Sequence, residues 1–262
     1  MPKLPTTQCG ELNVLVEAKH GRMLVNRHDA YIGRSIMELG EFSEGEVDLF
    51  RQILKPGGVV VEAGANIGSH TVPLAGFVGP SGRVIAFEPQ RVVFQMLCAN
   101  LALSSLTNVT AYWSAVGELS GELWVPTIDY AQPNNFGGLA LEGRTSGERV
   151  PVQTIDALGL ERLDLLKADV EGMELAVLKG ARQTIERCNP LLYVENDREE
   201  KSAELLTLIK TLGYSVFSHN PRLYNPNNFF GETNNPFGNI ISINLFAVHS
   251  SVAANIQGLK QL

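Results

Sequence analysis

The stretch Val61-Glu62-Ala63-Gly64-Ala65-Asn66-Ile67-Gly68-Ser69 decides the fold. It continues the unbroken apolar run Val59-Val60-Val61, the pattern of a strand buried on both faces. It leads into residues 69–77, which read as a helix ended by Gly79-Pro80. Strand, glycine-bearing loop and helix, in that order, form the first unit of a doubly wound sheet. In such sheets ligands bind beyond the carboxyl ends of the strands. Gly64 and Gly68 let backbone approach a ligand, and the helix N-terminus offers free N–H groups and partial positive charge.

The same alternation runs outward from this loop. Val84-Ile85-Ala86-Phe87 reads as the next strand, and Pro89 opens a helix reaching 103. Residues 109–113 and Leu165-Leu166-Lys167-Ala168 read as the third and fourth strands. A helix over 173–187 places Met173, Val177, Ala181 and Ile185 on one face. A fifth strand at 190–194, a helix at 199–212 and late strands at 214–217 and 241–248 complete the series. The expected fold is α/β, with a mainly parallel sheet and helices on both faces. Upstream, residues 21–25 read as a short strand. Ser43 with Glu46 opens a helix carrying Val47, Phe50, Ile53 and Leu54, which Pro56-Gly57-Gly58 stops. Residues 117–152 read as a hairpin-rich insertion, and 218–240 as an Asn- and Pro-rich segment with little periodicity.

Composition narrows the classes. The 262 residues are 44% apolar and 19% charged, which excludes long disorder. The net charge of −7 argues against a nucleic-acid partner. No run reaches the length of a membrane helix, so no membrane span is expected. Leu12 to Val16 is interrupted by Asn13 and followed by Glu17, Lys19 and His20, unlike a signal-peptide core. Cys9, Cys98 and Cys188 are scattered and form no CxxC, so the expected compartment is the reducing cytoplasm.

The loop carries an acid, Glu62, and is not G-x-G-x-x-G. A carboxylate there repels a pyrophosphate and suits a cationic group. S-adenosylmethionine has an ammonium, a sulfonium and a single carboxylate, which match one acid beside backbone N–H groups. Glu88 ends the second strand 20 positions past Gly68, an offset at which an acid accepts hydrogen bonds from ribose hydroxyls. Glu88 alone does not choose between S-adenosylmethionine and NAD, and its alternative role is a solvated cap on the helix after Pro89.

Residues 57–68, the run Gly79-Pro80-Ser81-Gly82-Arg83-Val84-Ile85-Ala86-Phe87-Glu88-Pro89, and Leu166-Lys167-Ala168-Asp169-Val170-Glu171-Gly172-Met173-Glu174 followed by Leu178-Lys179-Gly180-Ala181 resemble the FkbM-type methyltransferases. The likeness runs over residues 21–248. It implies a Rossmann-like, seven-stranded class I methyltransferase sheet, mostly parallel with an antiparallel last strand. It further implies S-adenosylmethionine as cofactor and O-methylation of a hydroxyl. By this resemblance Glu62, Gly64, Asn66 and Gly68 hold the methionine end, Glu88 the ribose, and Ser114 and Ala115 lie near the adenine. The family often has Asp where this chain has Glu62. Gly40-Glu41-Phe42-Ser43 resembles a segment that folds over the cofactor cleft, which makes residues 1–55 a cap, residues 56–262 the core, and Tyr31 and Glu41 pocket residues.

Methyl transfer to a hydroxyl is an in-line displacement helped by orientation and by a group that takes the proton. Asp169, Glu195 and His219 follow strand ends at the expected edge and are the candidate catalytic residues, with Asp169 also counted among the cofactor-binding residues. Glu171 and Glu174 read as acids of the following helical turn, and His70 as a partly buried helix residue. Asp169 with Glu195-Asn196 also resembles the oxygen ligands of catechol-type O-methyltransferases, which leaves Mg²⁺ open. The asparagines of the tail segment, with Tyr224, Phe229 and Phe230, suit a saccharide or serve as turn residues. The expected partner is a small-molecule or saccharide substrate, with a homo-oligomer left open. The rival classes are an NAD(P)-dependent oxidoreductase and a non-catalytic binding subunit of the same fold.

Overall fold

The computed structural model describes residues 6–252 and 259–262. An antiparallel sheet of β1 (Thr7–Cys9), β2 (Asn13–Ala18) and β3 (Gly21–Asn26) comes first, then α1 (Ile32–Leu39) and α2 (Glu44–Ile53). The alternating part follows with β4 (Val59–Ala63), α3 (Thr71–Val78), β5 (Arg83–Phe87), α4 (Arg91–Leu103) and β6 (Val109–Tyr112). Next, β7 (Ala115–Val116), β8 (Gly121–Val125) and β9 (Glu148–Gln153) make a small sheet in which β8 and β9 pair as the expected hairpin. The chain then runs through β10 (Leu165–Ala168), α5 (Glu174–Lys179), α6 (Arg182–Cys188), β11 (Leu191–Glu195), α7 (Glu199–Thr211), β12 (Tyr214–His219), β13 (Asn244–His249) and β14 (Lys260–Gln261).

The large sheet has the order β14-β12-β13-β11-β10-β4-β5-β6. Its strands β11, β10, β4, β5 and β6 are parallel, and β13 runs antiparallel to both neighbours. Among the described residues this sheet has eight strands rather than seven, because Lys260 and Gln261 pair with Ser218 and Phe217. Two polar residues carry no apolar alternation, so β14 leaves no mark in the sequence.

The central strands are buried on both sides, as their apolar runs require. Val61, Ile85, Leu166 and Val194 pack beneath Val177, Ile185, Leu205 and Ile209 of α5, α6 and α7. On the opposite face Val60, Val84, Leu165 and Tyr193 pack beneath Phe50 of α2 and Leu74 of α3. The first small sheet closes against α4 through Val14, Val16, Met23 and Val25 on Val93, Leu97 and Leu101. Asn100 ties these layers together, accepting from Leu24 N at 2.6 Å and donating to Ile67 O at 2.8 Å.

Three local expectations are corrected. The helix expected over 173–187 breaks into α5 and α6 at Gly180, where a Cβ would lie 2.0 Å from the carbonyl oxygen of Gly117. Helix α4 starts at Arg91 rather than Pro89, because Gln90 stays extended with its N–H held by Glu88 Oε1 at 2.8 Å. Ser43 does precede α2, but with φ 44° its hydroxyl donates to Glu46 Oε1 at 2.7 Å instead of capping a backbone N–H.

Candidate functional site

The carboxyl ends of β4, β5, β10 and β11 open into one cleft of about 270 Å³. That is close to the lower end of small-molecule sites, roughly 300 Å³. Glu62, Gly64, Asn66, Glu88, Ser114, Ala115, Asp169 and Glu195 all line it, as does Tyr31. Gly68, His219 and Glu41 are not among its lining residues.

The loop after β4 is folded largely against the protein itself. Gly64 N and Ala65 N both donate to Phe87 O, at 3.0 and 2.9 Å. A Cβ on Gly64 would lie 1.8 Å from Asp169 O, and one on Gly68 would lie 2.8 Å from Leu97 Cδ1. Both glycines also have positive φ, 83° and 87°. Both are therefore needed for the close approach of β10 and α4, and Gly64 lines the cleft as well.

Glu88 joins the loop to α4. It is 3% exposed, and its Oε2 accepts from Asn66 N at 3.0 Å while its Oε1 accepts from Gln90 N. Each carboxylate oxygen keeps a spare acceptor site, the arrangement two vicinal hydroxyls would complete. Burial raises its pKa to about 7 despite the two N–H donors. The solvated-cap alternative fails on exposure, although the residue does hold the helix entrance. Ser114 lines the cleft with its hydroxyl spent on the carbonyls of Ala115 and Pro151, at 2.8 and 3.0 Å.

A charged row underlies the floor. Glu62, Lys167 and Tyr193 are neighbours across β4, β10 and β11, so their side chains share a face. Lys167 Nζ lies 3.1 Å from Asp169 Oδ2 and 3.8 Å from Glu62 Oε1. Glu62 Oε2 accepts from Thr71 Oγ1 at 2.6 Å, and Oε1 has no hydrogen-bond partner. Burial raises the Glu62 pKa to about 7 against the opposing Lys167 charge. Burial would lower Lys167, but the carboxylates of Asp169 and then Glu62 outweigh it and hold the ammonium charged. His70, 4% exposed, is kept neutral, its pKa lowered to about 3 by burial and then by Lys167. The orphaned Glu62 Oε1 is an unfilled acceptor for a cationic or N–H donor group, which fits the ammonium of S-adenosylmethionine.

The acids past β10 and β11 divide. Asp169, Glu171 and Glu195 bring carboxylate oxygens within 4.8 Å of one another. Burial and then the Asp169 charge raise Glu195 far above the usual carboxylate range. Glu171 pairs with Arg198 at 2.7 Å. Glu174 is buried rather than solvated, and its Oε1 closes the turn by accepting from Val170 N and Gly172 N, both at 3.0 Å. Asn196 Nδ2 donates to Ser202 Oγ at 2.9 Å, and its Oδ1 has no hydrogen-bond partner. His219 meets the Tyr193 hydroxyl at 2.9 Å instead of the cleft.

The tail segment uses its amides internally. Asn225 Nδ2 donates to Glu41 Oε1, Asn228 Nδ2 to Glu232 O and Asn235 Nδ2 to Gly238 O, at 2.7, 2.7 and 2.6 Å. Glu41 thus anchors this segment rather than a ligand. What the segment and its continuation give the cleft is mainly apolar: Leu223, Ile240, Ile241 and Ile243. Sequence reasoning missed Lys167, Glu46 and Gln90 as lining residues, whereas Asn244, one of the tail asparagines it singled out, does line the cleft. Lys167 alone left a signal, as a charge inside an otherwise apolar strand.

The methyltransferase FkbM domain model matches residues 62–216. Methyltransferase sdnD of Sordaria araneosa is 34% identical over 154 residues, covering 46% of this chain and 59% of that protein. Methyltransferase 1 of Beauveria bassiana is 28% identical over 185 residues, covering 62% of this chain and 74% of that one. The chain thus spans less than two thirds of the Sordaria protein. The crystal structure of methyltransferase FkbM from Methylobacillus flagellatus aligns with a TM-score of 0.49 at 18% identity, covering 77% of this chain and 50% of that one.

Proposed function

The chain belongs to the FkbM methyltransferase family, and from that premise we propose that it is an S-adenosylmethionine-dependent O-methyltransferase acting on a hydroxyl of a saccharide or secondary metabolite. The observation that carries the cofactor is Glu88, a buried acid with two spare acceptor sites, fixed by the backbone of the very loop that holds Asn66. In this reading Glu88 takes the ribose hydroxyls, Glu62 the ammonium, and Ala115 and the backbone of Ser114 lie against the adenine. Glu62 in the cleft disfavours the NAD(P) alternative, because a pyrophosphate would face its carboxylate.

When bound, the cofactor supplies an electrophilic methyl group. The chain supplies orientation and a place for the hydroxyl proton. Asp169, partly exposed and steadied by Lys167, faces the cleft at the reacting edge. Glu195 beside it, its pKa raised by burial and then by the Asp169 charge, donates a hydrogen bond to the acceptor in its protonated form. No step in this reading requires a metal. Of the expected cap, residues 6–55 lie within the described residues and close over the cofactor through Tyr31, Ile32, Phe42 and Glu46.

Thermal shift with S-adenosylhomocysteine, NAD and NADP in parallel tests the cofactor, since only a ligand of the folded state raises apparent stability. Stabilisation by S-adenosylhomocysteine alone is expected; stabilisation by NAD alone would replace the reading. Asp169→Asn is expected to abolish turnover while leaving S-adenosylhomocysteine affinity within about threefold, as a change of ~0.6 kcal/mol would give. Retained turnover would remove Asp169 from the catalytic set.

A further inference from the structure

Gln90 is 5% exposed, lines the cleft and carries a side-chain oxygen, Oε1, with no hydrogen-bond partner. Its amide cannot turn end for end, because Nε2 donates to Phe136 O at 2.7 Å and a flip would set two acceptors face to face. The backbone N–H of the same residue is held by Glu88 Oε1 at 2.8 Å. Gln90 is thus fixed at two points and has a third polar group left over. A buried acceptor without a donor is unfavourable, and a ligand that completes it recovers the loss.

The hydrogen bonds around Gln90 place it. Glu88 N donates to Tyr112 O at 3.1 Å and Trp113 Nε1 donates to Pro89 O at 2.9 Å, which lays residues 88–90 beside Ser114 and Ala115. The insertion comes in next to them. Asn134 N donates to His28 O at 3.0 Å and Ala30 N to Asn134 O at 2.9 Å, and Phe136, 1% exposed, belongs to the same core as Ala65 and Ile67. Gly137 and Gly138 then reach the cleft. The neighbouring polar side chains have their oxygens engaged: Ser114 Oγ with two carbonyls, Asn66 Oδ1 with Ile67 N at 2.8 Å and Asn135 Oδ1 with Gly138 N at 3.0 Å. Beside the acid assigned to the ribose, Gln90 Oε1 is therefore the acceptor left for the purine.

We propose that Gln90 selects the purine of the cofactor, its Oε1 accepting from the exocyclic amino group of adenine while its Nε2 holds residues 134–138 of the insertion over the nucleoside. Adenine presents a donor at that edge. Hypoxanthine has a carbonyl oxygen in the same place and would set an acceptor against Oε1. The side chain cannot adapt to hypoxanthine by flipping without giving up Phe136 O. This rests on the methyltransferase reading above and adds the residue that fixes its purine.

Isothermal titration of S-adenosylhomocysteine, and of its deaminated analogue S-inosylhomocysteine, into the full chain tests it. The wild type is expected to bind the adenine compound at least about tenfold more tightly, since a site built to pair a donor rejects an analogue lacking it. Gln90→Met removes the acceptor and is expected to cut that preference to about threefold or less. Loosening of the insertion alone would weaken both ligands alike and leave their ratio unchanged, so the ratio isolates the contact with the purine. Gln90→Glu keeps an acceptor and loses the donor to Phe136 O. It is expected to weaken both ligands while keeping the preference, and it carries the test where the Met variant does not fold. A wild type that binds the two ligands equally, a full preference retained in Gln90→Met, or a preference lost in Gln90→Glu would overturn the assignment. A wild type that binds neither ligand would instead overturn the cofactor reading itself.

Discussion

Lys167 Nζ stands 3.1 Å from Asp169 Oδ2, two residues along the same chain, and the side chain that carries this ammonium is only 2% exposed. The strand therefore delivers a buried cation and a cleft-facing acid to one point. Removing one partner of a buried ion pair costs about 3–5 kcal/mol, because the other charge is left uncompensated. Lys167→Met is expected to lose stability of that order in urea unfolding, and adding Glu62→Gln is expected to restore part of it. A single variant within about 1 kcal/mol of wild type would mean that the row is not charged as described.

Glu88→Gln preserves one carbonyl-type acceptor and removes the charge. Hydrogen bonds to charged groups contribute about 1.5–3 kcal/mol, so S-adenosylhomocysteine affinity should fall roughly 10- to 100-fold. Isothermal titration measures this directly, and an unchanged affinity would detach Glu88 from the ribose. Alanine is the poorer choice, since it also releases Asn66 N and Gln90 N.

Stability should depend on pH with a definite sign. Glu62, Glu88 and Glu171 are raised from 4.5 to about 7, mainly by burial. Between those values the folded chain keeps protons that the unfolded chain has released, so stability falls as pH rises from about 4.5 to about 7. His70, lowered from 6.5 to about 3, acts oppositely, its share rising across pH 3 to 6.5. Three groups outweigh one where the windows overlap. Urea unfolding free energy is expected to be larger at pH 5 than at pH 7.5, and Glu88→Gln should flatten the difference. A rise from pH 5 to 7.5 would contradict these shifts.

Two glycines should respond in opposite directions. Gly64→Ala drives a Cβ into Asp169 O and is expected to prevent folding or cost several kcal/mol, more than the ~1–3 kcal/mol of backbone strain alone. Gly76 lies inside α3 with nothing within 4 Å of a Cβ, so Gly76→Ala should stabilise by about 0.5–1 kcal/mol. Thermal melts of both variants check the pair.

The parts of the fold legible in the sequence are those written in contiguous residues. Val59-Val60-Val61, Val84-Ile85 and Leu165-Leu166 announce the buried strands, and the acids that end them, Glu88, Asp169 and Glu195, arrive at one edge because parallel strands share a direction. Contacts made across the sheet are not written that way. Glu46 reaches the cleft from a helix whose local pattern explains it as a cap, and Asn244 begins a strand after a turn-rich segment. The tail asparagines mislead for the same reason: composition shows amides, but only the folded loop shows that Glu41 and neighbouring carbonyls already occupy them. Gly180 misleads in reverse, since helical spacing continues through it while the Gly117 backbone forbids a side chain there.

The near-contact of Gly64 with the Asp169 carbonyl welds two strand tips into one rigid hub. Admission of a guest therefore falls to the opposite bank, where Tyr31, Phe42 and the isoleucines stand on separate pieces of chain. Tempo of entry and exit should be set there, and exchange protection should be highest at the hub and lowest along that bank.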